Sequence, residues 1–244
     1  MRKLLTGMAI LSALVVPGVS RAADGVVDMT WDTCVGPIDK TTATPGVYGI
    51  YVSVLGIDQL HKAYDVRIIY GNSAQTVPDA WAFDATGCQG SALVTIDHLA
   101  PGTVSKVCPS FMQTSAPSLQ IKDVSLVPAG QPYANTLMRC VLANSYPNGV
   151  ATVNIATRYF LARYNFDHTF SVTGPSDPGL TCGGFEEPMC FKFQQGTYLD
   201  LTGTEFIFGR NNPAMAVSFN GAAACPFVPV KPKTWGSIKA QYRN

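Results

Sequence analysis

The chain has 244 residues, with 17 Lys plus Arg against 16 Asp plus Glu, only 14% charged residues, and 22 Gly, 17 Pro and 7 Cys. A balanced, sparsely charged chain presents no overall field for nucleic acid or an anionic membrane, so nucleic-acid binding is not expected. Frequent Val, Ile, Thr, Tyr and Phe among many Gly and Pro describe short strands joined by turns, and the expected class is all-β.

In chain order, the first feature is export. Arg2 and Lys3 precede an apolar run from Leu4 to Val16, which ends on Pro17, Gly18 and the small-residue site Ser20-Arg21-Ala22, so residues 1–22 read as a secretory signal peptide. The run is shorter than the roughly 18 to 20 apolar residues of a membrane span, and no later stretch reaches that length, so no transmembrane segment is expected. Cleavage removes Arg2, Lys3 and Arg21 but no acid. That leaves 14 basic against 16 acidic residues, a net charge of about −2, on a secreted chain of periplasmic or extracellular location.

Strand signals follow at once. Val26 to Asp32 alternates Val27, Met29 and Trp31 with Asp28, Thr30 and Asp32, as a half-buried strand requires. Val47 to Leu55 presents Tyr48, Ile50, Val52 and Val54 on one face, and Tyr64 to Tyr70 presents Tyr64, Val66, Ile68 and Tyr70. Further strands are expected at Ala92 to Ile96, Leu119 to Val127, Leu137 to Leu142, Tyr159 to Phe166, Phe170 to Thr173, Cys190 to Phe193, Phe206 to Phe208 and Ala214 to Phe219. Pro45-Gly46, Pro101-Gly102, Pro147-Asn148-Gly149 and Pro178-Gly179 punctuate the gaps. About eleven short strands at this spacing predict an antiparallel β-sandwich over residues 23–228. Two small sandwiches are the alternative.

All seven cysteines follow the cleavage point, where an oxidising compartment favours disulfides; none has metal-ligand spacing. The local pairings expected are Cys182 with Cys190, around Gly183-Gly184, and Cys88 with Cys108, around one strand. An odd cysteine must stay free or pair between molecules.

Chemistry-bearing motifs are few. Gly-x-Ser-x-Gly, His-Glu-x-x-His, phosphate-loop and dinucleotide-binding patterns are absent, which lowers the prior for an enzyme, and no cofactor is expected. One unusual set comprises His61, Asp97, His98, Asp167 and His168, which would bind a metal or serve acid and base chemistry if the fold made them converge. Neighbours on a strand point to opposite faces, so each Asp-His step offers one inward ligand, and polar strand ends are the plainer reading. Glu186-Glu187 reads as a solvated loop rather than a glycosidase pair. Trp31, Trp81, Tyr48, Tyr51, Tyr64 and Tyr70 suggest either a sugar-stacking platform or core; Trp31, Tyr48, Tyr64 and Tyr70 already lie on apolar faces, which favours core.

The end of the chain is distinct. Val228 to Lys233 reads as an extended spacer, after which Thr234 caps a short helix placing Trp235, Ile238 and Tyr242 on one face, with Arg243 adding to a basic flank. Residues 229–244 are therefore a candidate tag that contacts secretion machinery or a neighbouring subunit. Docking on the sandwich is the alternative.

The pair Val47 to Leu55 and Tyr64 to Tyr70, joined through Gly56-Ile57-Asp58, resembles the opening strands of cohesin-like and related carbohydrate-binding β-sandwiches, and Tyr159 to Phe166 is similar to a later strand of such folds. Trp31-Asp32-Thr33-Cys34, Pro78-Asp79-Ala80-Trp81, Gly87-Cys88 and the ending Thr234-Trp235-Gly236-Ser237-Ile238-Lys239 give the chain the look of uncharacterised secreted bacterial proteins. The cohesin likeness implies protein or glycan binding by a sandwich face. The function expected is thus a secreted non-catalytic binding or surface-structural module, with a secreted hydrolase or metal-binding enzyme, or a self-assembling extracellular subunit, as alternatives.

Overall fold

A computed structural model describes residues 25–57, 60–111, 117–146, 154–209 and 215–221. Eleven strands run in chain order: β1 Val26–Trp31, β2 Asp39–Lys40, β3 Val47–Leu55, β4 His61–Asn72, β5 Val94–Asp97, β6 Leu119–Leu126, β7 Met138–Ser145, β8 Tyr159–Asp167, β9 Met189–Asp200, β10 Glu205–Phe208 and β11 Ala216–Phe219. Short 3-10 turns at Asp79–Trp81, Ser91–Leu93 and Gly102–Lys106 are the only helical segments among the described residues, and no helix there is long and apolar enough to cross a membrane.

The strands form two facing sheets. One has the order β1-β3-β8-β5; the other has β2-β11-β9-β4-β7-β6, with β10 pairing the far half of β9. Pairing is antiparallel except between β11 and β2. Several neighbours are distant in sequence, as when β3 meets β8, while β6 with β7 and β9 with β10 are consecutive, and the fold is the expected β-sandwich.

The inward faces are those that alternation marks. Val27, Met29 and Trp31 of β1, Ile50, Val52 and Val54 of β3, and Tyr64, Val66, Ile68 and Tyr70 of β4 are buried in one core. Polar bonds stitch the two sheets through it. Tyr64 donates to the Leu161 carbonyl (2.9 Å), Tyr164 donates to the Val66 carbonyl (2.9 Å), and the Trp31 indole donates to the Ser218 carbonyl (2.8 Å). Each ring thereby buries its apolar body and still satisfies its polar tip. The Trp31→Phe variant should lose about 2 kcal/mol, since it removes ring volume and leaves the Ser218 carbonyl without that donor. Thermal unfolding would then fall by roughly 4 to 8 °C, and an unchanged melting temperature would show that the indole bond contributes nothing.

Boundaries depart from expectation where a strand has no full alternation. Ala92 to Ile96 begins as the Ser91–Leu93 turn, Phe170 to Thr173 contributes one bridge (Ser171 with Cys182) instead of a strand, and β9 extends seven residues past Phe193. The short β2 carries no sequence signal because its pairing is held by neighbours, including the Asn220 amide donating to the Lys40 carbonyl (2.7 Å).

The local cysteine pairings are corrected. Cys34 pairs with Cys108 and Cys88 with Cys182, across 74 and 94 residues of chain. Cys190 is also disulfide-bonded, though not to Cys182, and Cys140 is a buried free thiol on β7. Gly183-Gly184 serves close packing rather than a small disulfide loop. The Gly183 carbonyl accepts from the Ala80 amide (2.8 Å), and a Cβ on Gly183 would sit 2.3 Å from the Gly174 carbonyl oxygen.

Candidate functional site

The outer face of the seven-stranded sheet is divided in two. Over one half, the 127–137 connection folds back, and Val127, Leu137 and Tyr133 pack on Ile69 of β4 and Cys190 of β9. The other half is open and holds a trough of about 370 Å³.

Register explains the concavity. One row across the sheet runs Leu119, Ser145, Ala63, Leu199 and Glu205; the next runs Ile121, Ala143, Asp65 and Thr197. Small side chains on the central strands β7 and β4 lie between larger ones on β6, β9 and β10, so the face is hollow in the middle. The β6 wall is apolar and open to solvent, with Leu119 59% and Ile121 50% exposed.

The acid at the centre of the trough is paired internally. Arg67 Nε donates to Asp65 Oδ2 (2.6 Å), and the Thr197 hydroxyl donates to the other carboxylate oxygen. The Asp65 carboxylate is thus paired on both oxygens, is 8% exposed, and is poorly placed to act as a base. What this surface offers a ligand is an aliphatic hollow with the Arg67 and Glu205 side chains at its rim.

The five residues singled out for metal or acid-base chemistry serve separate purposes. His61 is buried and stacks on Phe111 with ring centroids 3.7 Å apart. Asp97, on the outer face of the four-stranded sheet, accepts from Arg163 Nη2 (2.6 Å), Arg163 Nε (3.1 Å) and Asn165 Nδ2 (3.1 Å). His98 turns the other way, toward Gln120 of β6. Asp167 accepts from the Thr169 amide in a turn (3.0 Å). His168 is fully buried against Trp81 and Phe185, its ring centroid 4.2 Å from that of Trp81, and burial pushes its imidazole down to about 3. No group of three or more potential ligands forms among the described residues, so the convergence that metal chemistry requires does not occur there.

Glu186 and Glu187 staple loops in different directions. Glu186 accepts from the Gly174 amide (2.8 Å) and Glu187 from Asn72 Nδ2 (3.1 Å). Of the aromatics, Trp31, Tyr64 and Tyr70 lie in the core, as their apolar faces led one to expect, and Trp81 joins them; Tyr51 is 5% exposed and covered by the Arg163 guanidinium, 5.8 Å from its ring centroid. The tail residues Trp235, Ile238, Tyr242 and Arg243, and the signal segment 1–22, lie outside the described residues.

Sequence reading missed the trough entirely. One signal was present: β6 carries Leu119 and Ile121 on one face but Val124 and Leu126 on the other, and such a change of phase marks an edge strand that is apolar on both sides.

Comparison with known proteins finds no matching family model and no matching curated protein. Among solved structures, the chain is similar to the cohesin module of a Clostridium perfringens family 33 glycoside hydrolase, at 11% identity and a TM-score of 0.37, covering 80% of this chain and 98% of the module. It is also similar to the second type II cohesin module of a cellulosomal adaptor scaffoldin from Acetivibrio cellulolyticus, at 10% identity and a TM-score of 0.39, over 76% of this chain and 90% of that one. A third is a non-cellulosomal cohesin from Archaeoglobus fulgidus, at 8% identity and a TM-score of 0.35, over 80% and 89%.

Proposed function

We propose that this protein is an exported, non-catalytic binding module that takes a protein partner in the open half of its seven-stranded sheet. The observation that carries the reading is the trough itself, where two apolar side chains of an edge strand stand exposed beside a floor of Ala63, Ala143 and Ser145. Exposed aliphatic walls around a small-residue floor suit an apolar side chain of a partner. A sugar ring is better served by a flat exposed aromatic, and the tyrosines bordering the trough, Tyr64 and Tyr198, are buried. Export is supported by the leader-like residues 1–22 and by the disulfides, which persist in oxidising compartments.

The test is a side-by-side capture experiment with the mature protein and its Ala143→Phe variant, which fills the trough floor, against extracellular proteins and a glycan panel. A protein ligand retained by the first and lost by the second, with stability altered by less than about 1 kcal/mol, is the expected result. Equal retention by both would place binding elsewhere, and glycan capture alone would replace the protein reading.

A further inference from the structure

We propose that His98 and Gln120 form a pH-sensitive latch between the two sheets, which holds β6, and with it one wall of the trough, in place. His98 follows β5, the edge of the four-stranded sheet, and Gln120 lies on β6, the edge of the seven-stranded sheet on the same side of the sandwich. The Gln120 amide nitrogen is 2.8 Å from His98 Nδ1 and 2.8 Å from Asn144 Oδ1. Asn144 in turn donates to the Tyr64 hydroxyl (3.0 Å), which donates to the Leu161 carbonyl of β8 (2.9 Å). One polar chain therefore crosses from sheet to sheet and back.

Proton inventory decides the state of the histidine. The amide nitrogen of Gln120 has two hydrogens and no acceptor capacity, so it donates both, and His98 Nδ1 must be the unprotonated, accepting nitrogen. Adding a proton to Nδ1 sets donor against donor and breaks the link. The charged groups around His98 resist that proton. Lys122, on the same side of β6 as Gln120, repels a cationic ring; Asp97 of β5 would favour one, but its carboxylate is held by Arg163 of β8. Partial burial and Lys122 together lower the His98 pKa, in keeping with the geometry.

The sign follows. A latched His98 with a lowered pKa binds its proton less readily than an unlatched one, so the latch is fully formed above the ordinary histidine value of about 6.5 and weakens as pH falls below it. Gln120 sits between Leu119 and Ile121, whose side chains leave the opposite face of β6 as the trough wall. Release of Gln120 frees that wall to move. Only this last consequence rests on the function proposed above; the latch itself does not.

Hydrogen exchange read by mass spectrometry, corrected for intrinsic rates, tests it without any ligand. Amides of 119–126, normalised to β4 of the same molecule, should lose protection by about tenfold between about pH 7 and about pH 5, as the Gln120 link opens. His98→Asn keeps an acceptor oxygen near the Nδ1 position but does not titrate, and should abolish the pH dependence. Gln120→Leu should give low protection at both values. Protection of β6 that does not change with pH in the wild-type protein, or that falls equally in His98→Asn, would overturn the latch while leaving the trough reading to its own experiment.

Discussion

Replacing Cys88 and Cys182 together by alanine should lower the melting temperature by roughly 10 to 20 °C. The bond closes a loop of 94 residues, and the loss of conformational freedom that such a closure imposes on the unfolded chain is about 4.7 kcal/mol on the chain-entropy relation. For the Cys34 and Cys108 pair, closing 74 residues, the same relation gives about 4.5 kcal/mol. The two loops overlap in sequence, so the effects should not simply add. Local packing enlarges the first effect. Val172 donates its amide to the Cys182 carbonyl (2.9 Å), Cys182 donates its own to Phe170 (2.8 Å), and Gln89, next to Cys88, donates to Ser171 Oγ (2.6 Å). Loss of the bond thus loosens the cap over the Trp81, His168 and Phe185 cluster as well. Differential scanning calorimetry checks this, and a shift of less than about 3 °C would mean that the crosslink adds little to a cap already held by its aromatic packing. Peptide mapping without reduction should recover Cys34 with Cys108 and Cys88 with Cys182. Cys190 should likewise be recovered only in a crosslinked peptide. Cys140 should stay reduced, because burial pushes its thiol well above the ordinary range and suppresses the reactive thiolate.

Acid should destabilise the protein through His168, and His168→Phe should remove most of that sensitivity. Burial lowers the native pKa to about 3, against about 6.5 in an unfolded chain. Because the native value is depressed, the contribution is fully present above about pH 6.5 and is lost as pH falls from there toward about 3. The loss amounts to about 2 kcal/mol by pH 5 and about 4 to 5 kcal/mol once the native ring itself protonates. The partners agree with a neutral ring. His168 Nδ1 lies 2.8 Å from Ser171 Oγ, which accepts from Gln89 and whose one hydrogen lies between the imidazole and the more distant Ala80 carbonyl (3.5 Å). Phenylalanine keeps an aromatic ring among Trp81, Phe83 and Phe185 but is bulkier than imidazole, and at neutral pH the exchange should cost about 1 to 3 kcal/mol without altering the comparison between pH values. Urea unfolding at about pH 7 and about pH 5 separates the outcomes: a wild-type drop near 2 kcal/mol that shrinks in the variant is expected, and an equal drop in both proteins would assign the acid sensitivity to other groups.

What the sequence alone determined here was local. The exact limits of β3, the inward faces of β1, β3 and β4 and the all-β class follow from period-two alternation and from Gly and Pro punctuation, which depend on nothing more than a few residues apart. Tertiary structure decided the rest. Cys88 meets Cys182 instead of Cys108 because the order β1-β3-β8-β5 and the crossing connections bring distant loops to the same end of the sandwich. His61, His98 and His168 became a stacking ring, a latch and a buried neutral core residue according to the partners that other strands supplied. The trough exists because the 127–137 connection covers one half of an outer face whose alternation is the same in both halves. Alternation reports that a side chain faces outward, but whether a loop then lies over it depends on where the chain returns, and that is set by the packing of the whole sandwich.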